Sequence, residues 1–272
     1  HRDLHYPLRR QRQMCIRDRY YIEVSWLFFY LVIIISWILI FLMILASDNT
    51  ASIENFYGSE FLSTLCQPIN KMSDWPYAFL MWSLMGIAMM VPTIQPTLKT
   101  FGDLSNLHNV SYFGFVSLLF GFIVVWVIFS GVASLLQIYL TQLSLVKSDG
   151  IFIHFIPSVT LLFLAAIYQF SDLKKACLHR CRHPLLFFLN DWNGSFVASF
   201  NVGLRVGLYC LGCCWLLMML AFVGGVMNLG FMGLATLVMI AEKLPDYGRY
   251  VTLPLSLLLL ISGSIVVISN FI

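Results

Sequence analysis

Five cysteines in two short segments are the residues of this chain best suited to chemistry. Cys210, Cys213 and Cys214 lie in the segment YCLGCCWLLMM, and Cys177 and Cys181 lie in KKACLHRCRHP. Thiolates bind soft metal ions, and they are also the groups that exchange disulfides. The two segments therefore predict either metal binding or thiol redox chemistry.

The spacing of the first segment places its sulfur atoms on one face of a helix. Cys210, Cys213, Cys214 and Met218 follow one another at i, i+3, i+4 and i+8, which is a helical stripe. Thiolate and thioether ligands together select copper(I) over harder ions. Cysteine also packs as a small hydrophobic residue, so packing without any ligand stays an open alternative.

An earlier apolar segment carries a second sulfur stripe. Its methionines recur every four residues, at Met81, Met85 and Met89. Met90 lies beside the last of them, and Pro92 follows. Two such stripes on facing helices would form a copper(I) site or path. Methionine is also a common gap-filler in cores, and this alternative stays open.

The second cysteine segment combines thiols with imidazoles. In a helix Cys177 and Cys181 lie one turn apart, and His179 and His183 do so on another face. These are ligands of zinc, copper and iron, and flanking cations are expected to lower the pKa of the thiols: Lys174, Lys175, Arg180 and Arg182. The spacing is not that of a zinc finger, so a basic loop with two incidental thiols is the alternative.

The composition predicts that these residues belong to a membrane protein. Hydrophobic residues make up 60% of the chain and charged residues 11%, against about 25% charged residues in soluble domains. Apolar runs near the roughly 20 residues that a span needs lie at 25–46, 75–94, 112–139, 151–170, 197–221, 223–240 and 251–272. The sequence predicts an all-α, polytopic membrane helix bundle with about seven transmembrane helices. A tight turn is expected at Gly224 and Gly225.

The first residues look foreign to the fold. The segment RRQRQMCIRD and the preceding HRDLH back-translate to DNA that resembles a sequencing adapter, so residues 1–19 are expected to be an unstructured artefact. Residues 20–272 form a single transmembrane domain in this interpretation. Without residues 1–18 the chain loses five arginines and two aspartates and becomes neutral. The native N-terminus is then unknown.

Lysine and arginine predict the orientation. With alternating spans and Arg19 inside, most of these residues fall on the inner side, and only Lys71 and Lys147 fall outside. By the positive-inside rule the N-terminus is cytoplasmic, in what we expect to be a bacterial inner membrane. Glu242 and Lys243, after the sixth run, are expected to form a solvated helix end.

Five segments of the chain resemble a family of uncharacterised integral membrane proteins that are predicted to bind metal. They are AMMVPTIQP (88–96), YQFSDLKKACLHRCRHP (168–184), GLYCLGCCWLLMM (207–219), GVMNLGFM (225–232) and EKLP (242–245). The resemblance implies that the five cysteines named above are the family's cysteine positions. Their recurrent neighbours would be Met89, Met90, Trp215, Met227 and Glu242. His179 and His183 are not part of that pattern and depend on spacing alone.

Three functions fit these observations. The preferred one is a protein, not an enzyme, that binds or transfers a soft metal, copper(I) before zinc, with a metal donor or acceptor protein as its partner. The second is a membrane thiol-disulfide oxidoreductase using Cys210 and Cys213, and the third is a scaffold subunit without metal. The sequence contains no P-loop, zinc-protease or nucleophile-elbow motif. It also lacks the basic patch of a nucleic-acid binder, and it leaves the oligomeric state open.

Overall fold

The computed structural model describes residues 5–47, 71–108, 112–147, 150–189, 195–226, 228–244 and 248–271. Within these ranges the helices are joined by turns and irregular segments, and the only β-type pairing is an isolated bridge between Val146 and Phe152. The predicted all-α class is confirmed. Cys66 and Met227 lie outside the described residues.

The described part of the chain contains eleven α-helices. They are α1 (His5–Ser47), α2 (Trp75–Met90), α3 (Gln95–His108), α4 (Tyr112–Gln142), α5 (Phe155–Tyr168), α6 (Asp172–Arg182), α7 (Leu185–Phe188), α8 (Phe196–Met219), α9 (Ala221–Gly224), α10 (Leu229–Lys243) and α11 (Gly248–Phe271). Two 3₁₀ helices, Met72–Asp74 and Val91–Ile94, precede and follow α2. Helix α1 begins inside the segment expected to be unstructured, whose adapter origin stays a prediction.

Five segments of the described chain are long and apolar enough to cross a membrane. They are Val24–Leu45, Met72–Leu104, Phe113–Gln142, Phe196–Gly224 and Tyr250–Asn270. The other two predicted spans correspond to α5 and α10, which have 14 and 15 residues. At 1.5 Å per residue these helices are about 21–23 Å long, less than the ~30 Å of hydrocarbon. Helices α5 and α6, bent by 61°, would give a sixth span if they cross together, and the count of seven stays a prediction.

Glycines bring α4 and α8 into backbone contact, the most extensive helix pairing in the described chain. A Cβ atom added at Gly203 would lie 2.1 Å from the carbonyl oxygen of Leu118, and one at Gly121 would lie 2.4 Å from that of Phe200. Small residues allow this approach because no side chain separates the two backbones. Helix α8, which carries three cysteines, is thereby held at the centre of the bundle.

The chain breaks its helices at three points near α8. Pro92 has no N–H to continue the ladder, and the chain passes from α2 to α3 through the 3₁₀ helix Val91–Ile94. Between α5 and α6 the chain bends, and Ser171 caps α6 by accepting a 3.1 Å hydrogen bond from the Lys174 amide. Gly225 adopts a φ of +92°, which is the glycine conformation expected for the turn before α10.

A buried ion pair fastens α6 to α10. Lys174 Nζ lies 2.8 Å from a carboxylate oxygen of Glu242, and both side chains are 1% exposed. The side-chain oxygen of Gln169 also accepts from Lys174, and Arg182 donates two hydrogen bonds to the Glu242 carbonyl oxygen, at 3.0 and 2.8 Å. The expectation of a solvated helix end at Glu242 and Lys243 is wrong, because α6 covers this end of α10.

Replacing Gly203 by alanine is expected to destabilise the bundle. The added methyl group would clash with the Leu118 carbonyl and force α4 and α8 apart, a cost of about 1–3 kcal/mol for overpacking. Thermal unfolding in detergent, followed by circular dichroism, measures this cost. The matched control is Gly233→Ala on α10, where an added Cβ has no neighbour within 4 Å. Equal losses in the two variants would contradict the assigned contact.

Breaking one side of the buried ion pair is expected to cost more than removing both sides. Lys174→Met or Glu242→Gln alone leaves a buried charge without its partner, at about 3–5 kcal/mol, whereas the double variant leaves none. A double-mutant cycle on unfolding free energy measures the coupling. The control is the surface pair of Lys175 with Asp172, whose side chains are 62% and 98% exposed. Additive losses at Lys174 and Glu242 would show that no such pair forms.

Candidate metal centre

Three cysteines of α8 form a buried cluster of sulfur atoms. Cys210, Cys213 and Cys214 are each 1% exposed and are free thiols. The sulfur atoms of Cys213 and Cys214 lie 3.2 Å apart, and Cys213 Sγ donates to the Cys210 carbonyl oxygen at 3.1 Å. The side chains of Cys213 and Cys214 also interact with that of Cys210. The helical spacing in the sequence thus corresponds to one group of adjacent thiols.

Helix α6 brings the other two cysteines to the same place. Cys177 and Cys181 are buried, at 8% exposure each, on the side of α6 that faces α8. A Cβ added at Gly212 would lie 2.7 Å from Cys177 Sγ, so Cys177 occupies the space that a side chain would fill. Cys181 interacts with the side chain of Cys213. The two cysteine segments, separate in the sequence, are parts of one cluster.

The Gly212 backbone also anchors the end of α5. The hydroxyl of Tyr168 donates a hydrogen bond to the Gly212 carbonyl oxygen, and its ring meets Trp215 edge to face with centroids 5.8 Å apart. A tyrosine at this position holds the bend between α5 and α6 against α8. This contact, together with the ion pair of Lys174, sets where α6 places its thiols.

A lysine from α10 reaches into the thiol cluster. Lys243 Nζ lies 2.8 Å from Cys210 Sγ and 2.7 Å from Thr93 Oγ1. The Thr93 hydroxyl donates to the Met90 carbonyl oxygen at 2.7 Å, which leaves its oxygen free to accept from Lys243. The ammonium is 4% exposed. The buried ammonium therefore lies directly against the sulfur atom of Cys210.

For Cys177, the expected lowering of the thiol pKa by the flanking cations is wrong. Lys174 is paired with Glu242 and Lys175 with Asp172. Their ammonium groups therefore face these carboxylates and not the thiols of α6. Burial raises the pKa of the Cys177 thiol because a thiolate is poorly solvated there. Among the described residues, the cation that meets the sulfur atoms is Lys243 on another helix.

The remaining predicted ligands lie around the cluster at different depths. Met218 is buried one turn beyond Cys214 on α8. Met89 and Met90 are buried at the end of α2, whose main partner is α4 and not α8, so the two sulfur stripes are not on closely packed helices. His179 and His183 lie on the exposed side of α6 with ring centroids 4.7 Å apart. They are therefore directed away from the thiols.

In the described chain no group of three or more histidine, cysteine, aspartate or glutamate side chains is arranged as a ready metal-binding set. The thiols are nonetheless adjacent, and two of them contact each other directly. Thiolates suit soft monovalent copper, which needs fewer ligands than zinc's usual four. The chemistry of the donors fits copper(I) as a cargo.

Lys243 and Thr93 are parts of the site that the sequence analysis does not predict. Lys243 directly follows an apolar run, and an ionisable residue next to the membrane interior is a functional candidate by default, which is the signal that could have identified it. Thr93 carries no comparable signal, because hydroxyl groups are common in membrane helices. Gly212 is a small residue of the kind that lets a neighbouring helix approach, and Cys177 of α6 lies against it.

Comparison with known proteins gives one family. The PpoB2 family, described as copper chaperone, matches residues 79–266. This range contains α8, α6 and α10 with the thiol cluster and Lys243. No curated protein and no solved structure gives a significant match. Because the matched range is more than half of the sequence, the chain belongs to the PpoB2 copper chaperone family.

Proposed function

We propose that this protein is a membrane-embedded copper(I) carrier, which binds the ion through cysteine thiolates of α6 and α8 and passes it to a partner. The observation that carries the proposal is the meeting of both cysteine segments: Cys177 Sγ lies against Gly212 of α8, and Cys181 interacts with Cys213. The packing of α6 on α8 thus brings thiols of both segments together. The copper chaperone family to which the chain belongs supports the choice of ion.

The cysteines divide into an entry pair and a holding group. Cys177 and Cys181 are on a short polar helix and are 8% exposed, whereas the α8 thiols are 1% exposed. Copper(I) exchanges ligands by binding an incoming thiolate before it leaves the outgoing one, so adjacent thiols provide a stepwise path. The ion reaches the α6 pair first and then Cys210, Cys213 and Cys214.

Neighbouring donors extend this path. Met218, one turn from Cys214, supplies a buried thioether, and Met89 and Met90 precede Thr93 at the helix break. The exposed pair of His179 and His183 captures the ion before it reaches the thiols. With the N-terminus in the cytoplasm, α6 faces the cytoplasmic side, where a donor or acceptor protein docks. The membrane is the bacterial inner membrane.

Removing the holding group is expected to abolish copper retention. The full-length chain, purified anaerobically in detergent and loaded with copper(I), should retain stoichiometric copper after desalting, and Cys210→Ser/Cys213→Ser should not. Metal analysis of the desalted protein measures this loss, and zinc is loaded in parallel. The matched control is Cys66→Ser, which removes a thiol outside the two segments. Wild-type copper no higher than that of the double variant would contradict the proposal. Reversible oxidation of the thiols in that case would support a redox enzyme.

Removing the entry pair is expected to slow loading but to leave the final copper content near that of the wild type. Cys177→Ser/Cys181→Ser keeps the α8 thiols, so we expect loading to be about tenfold slower, a barrier change of about 1.4 kcal/mol. Stopped-flow transfer from a chromogenic copper(I) chelator gives the rate. The serine pair keeps the polarity of α6, and circular dichroism checks its fold. Unchanged loading would remove Cys177 and Cys181 from the path.

A further inference from the structure

A positive charge that has no ion pair with a carboxylate among the described residues lies inside the proposed copper site. Lys243 Nζ donates to Cys210 Sγ at 2.8 Å and to Thr93 Oγ1 at 2.7 Å, and the side chain is 4% exposed. The carboxylate next to it in sequence, Glu242, is paired with Lys174. It therefore does not neutralise Lys243. A buried ammonium is costly unless an anion faces it, and the anions available here are the cysteine thiolates.

Charge balance then constrains which ion the site accepts. When copper(I) binds, two cysteines such as Cys210 and Cys213 coordinate it as thiolates, and any proton they carry is released to water. Two copper–sulfur bonds form without any change of oxidation state. Two thiolates, one monovalent ion and one ammonium sum to zero. A divalent ion with the same two thiolates leaves an excess positive charge in a low-dielectric interior, and it reaches neutrality only if a third cysteine ionises.

We propose that Lys243 is the counter-ion of the copper–thiolate complex and the residue that makes the site prefer a monovalent ion over a divalent one. The inference rests on the proposed function. Lys243 does not bind the metal; it remains an ammonium throughout and acts through its charge. Arg182 is not an equivalent cation, because it is only half-buried and donates to the Glu242 carbonyl oxygen.

The test is the ratio of copper(I) to zinc(II) affinity of the full-length chain. Lys243→Met and Lys243→Gln remove the charge, and in both the ratio should fall at least about tenfold, equal to about 1.4 kcal/mol. Lys243→Arg keeps the charge and should keep the ratio. Competition with a chromophoric copper(I) chelator and, separately, a zinc chelator supplies the two affinities. The ratio separates charge from structure, because a merely distorted site would weaken both ions.

The matched control is Lys175→Met, which removes a cation from the surface of α6, where the side chain is 62% exposed. Its ratio should equal that of the wild type. Lys243→Gln can still hydrogen-bond to Thr93 and carries the test where Lys243→Met does not fold. Wild-type protein that binds no copper(I) overturns the proposed function. Wild-type protein that binds copper(I), with an unchanged ratio in the methionine and glutamine variants, overturns only the role of Lys243.

Discussion

Two consecutive charges at the end of α10 must be paired away from water, and each of them ties a different helix to this point. Glu242 pairs with Lys174 and so holds α6, and Lys243 contacts Cys210 of α8 and Thr93 of the break after α2. A buried charge without a partner costs several kcal/mol. The positions of α6, α8 and α10 are therefore interdependent, and the thiol cluster lies where they meet.

The breaks at the ends of α2 and α5 also lie near the thiol cluster. Helix α2 ends at the 3₁₀ turn Val91–Ile94, and α5 ends at the bend that Tyr168 holds against Gly212. Non-helical backbone within a membrane protein is tolerated where it is buried in protein or lines a cavity, and transporters use such breaks at their ion sites. In this chain the breaks bring Thr93, which follows α2, and the two cysteines of α6 to α8. A bundle of uninterrupted, parallel helices would not place them there.

The chain belongs to a copper chaperone family, which makes copper the ion to consider for these thiol contacts. A carrier must bind its ion tightly enough to keep it and loosely enough to release it. In the proposed function, adjacent thiols on two helices of different exposure would meet both demands, because each exchange would replace one sulfur ligand by another. The close α4–α8 contact supports the helix that carries Cys210, Cys213 and Cys214, while α6 is held by its ion pair with Glu242 and by its buried face, which packs on α8.

The sequence by itself determined the helical class, the presence of helices long and apolar enough to cross a membrane, and the same-face spacing of Cys210, Cys213 and Cys214. These follow from composition and from the helical period, which act over a few residues. It also carried the signatures on which the family resemblance depended. The glycine turn at Gly225 follows from the same local chemistry, because positive φ values favour glycine.

Only the tertiary structure decided that the two cysteine segments meet and that Lys243 faces the thiols. Cys210 and Lys243 are 33 residues apart, and Thr93 and Lys243 are 150 apart. No periodicity links such positions, since their contact depends on how whole helices pack. The burial of Glu242 and Lys243 differs from the sequence prediction for the same reason. The local sequence shows only two charges after an apolar run, whereas the packing of α6 over α10 removes them from water.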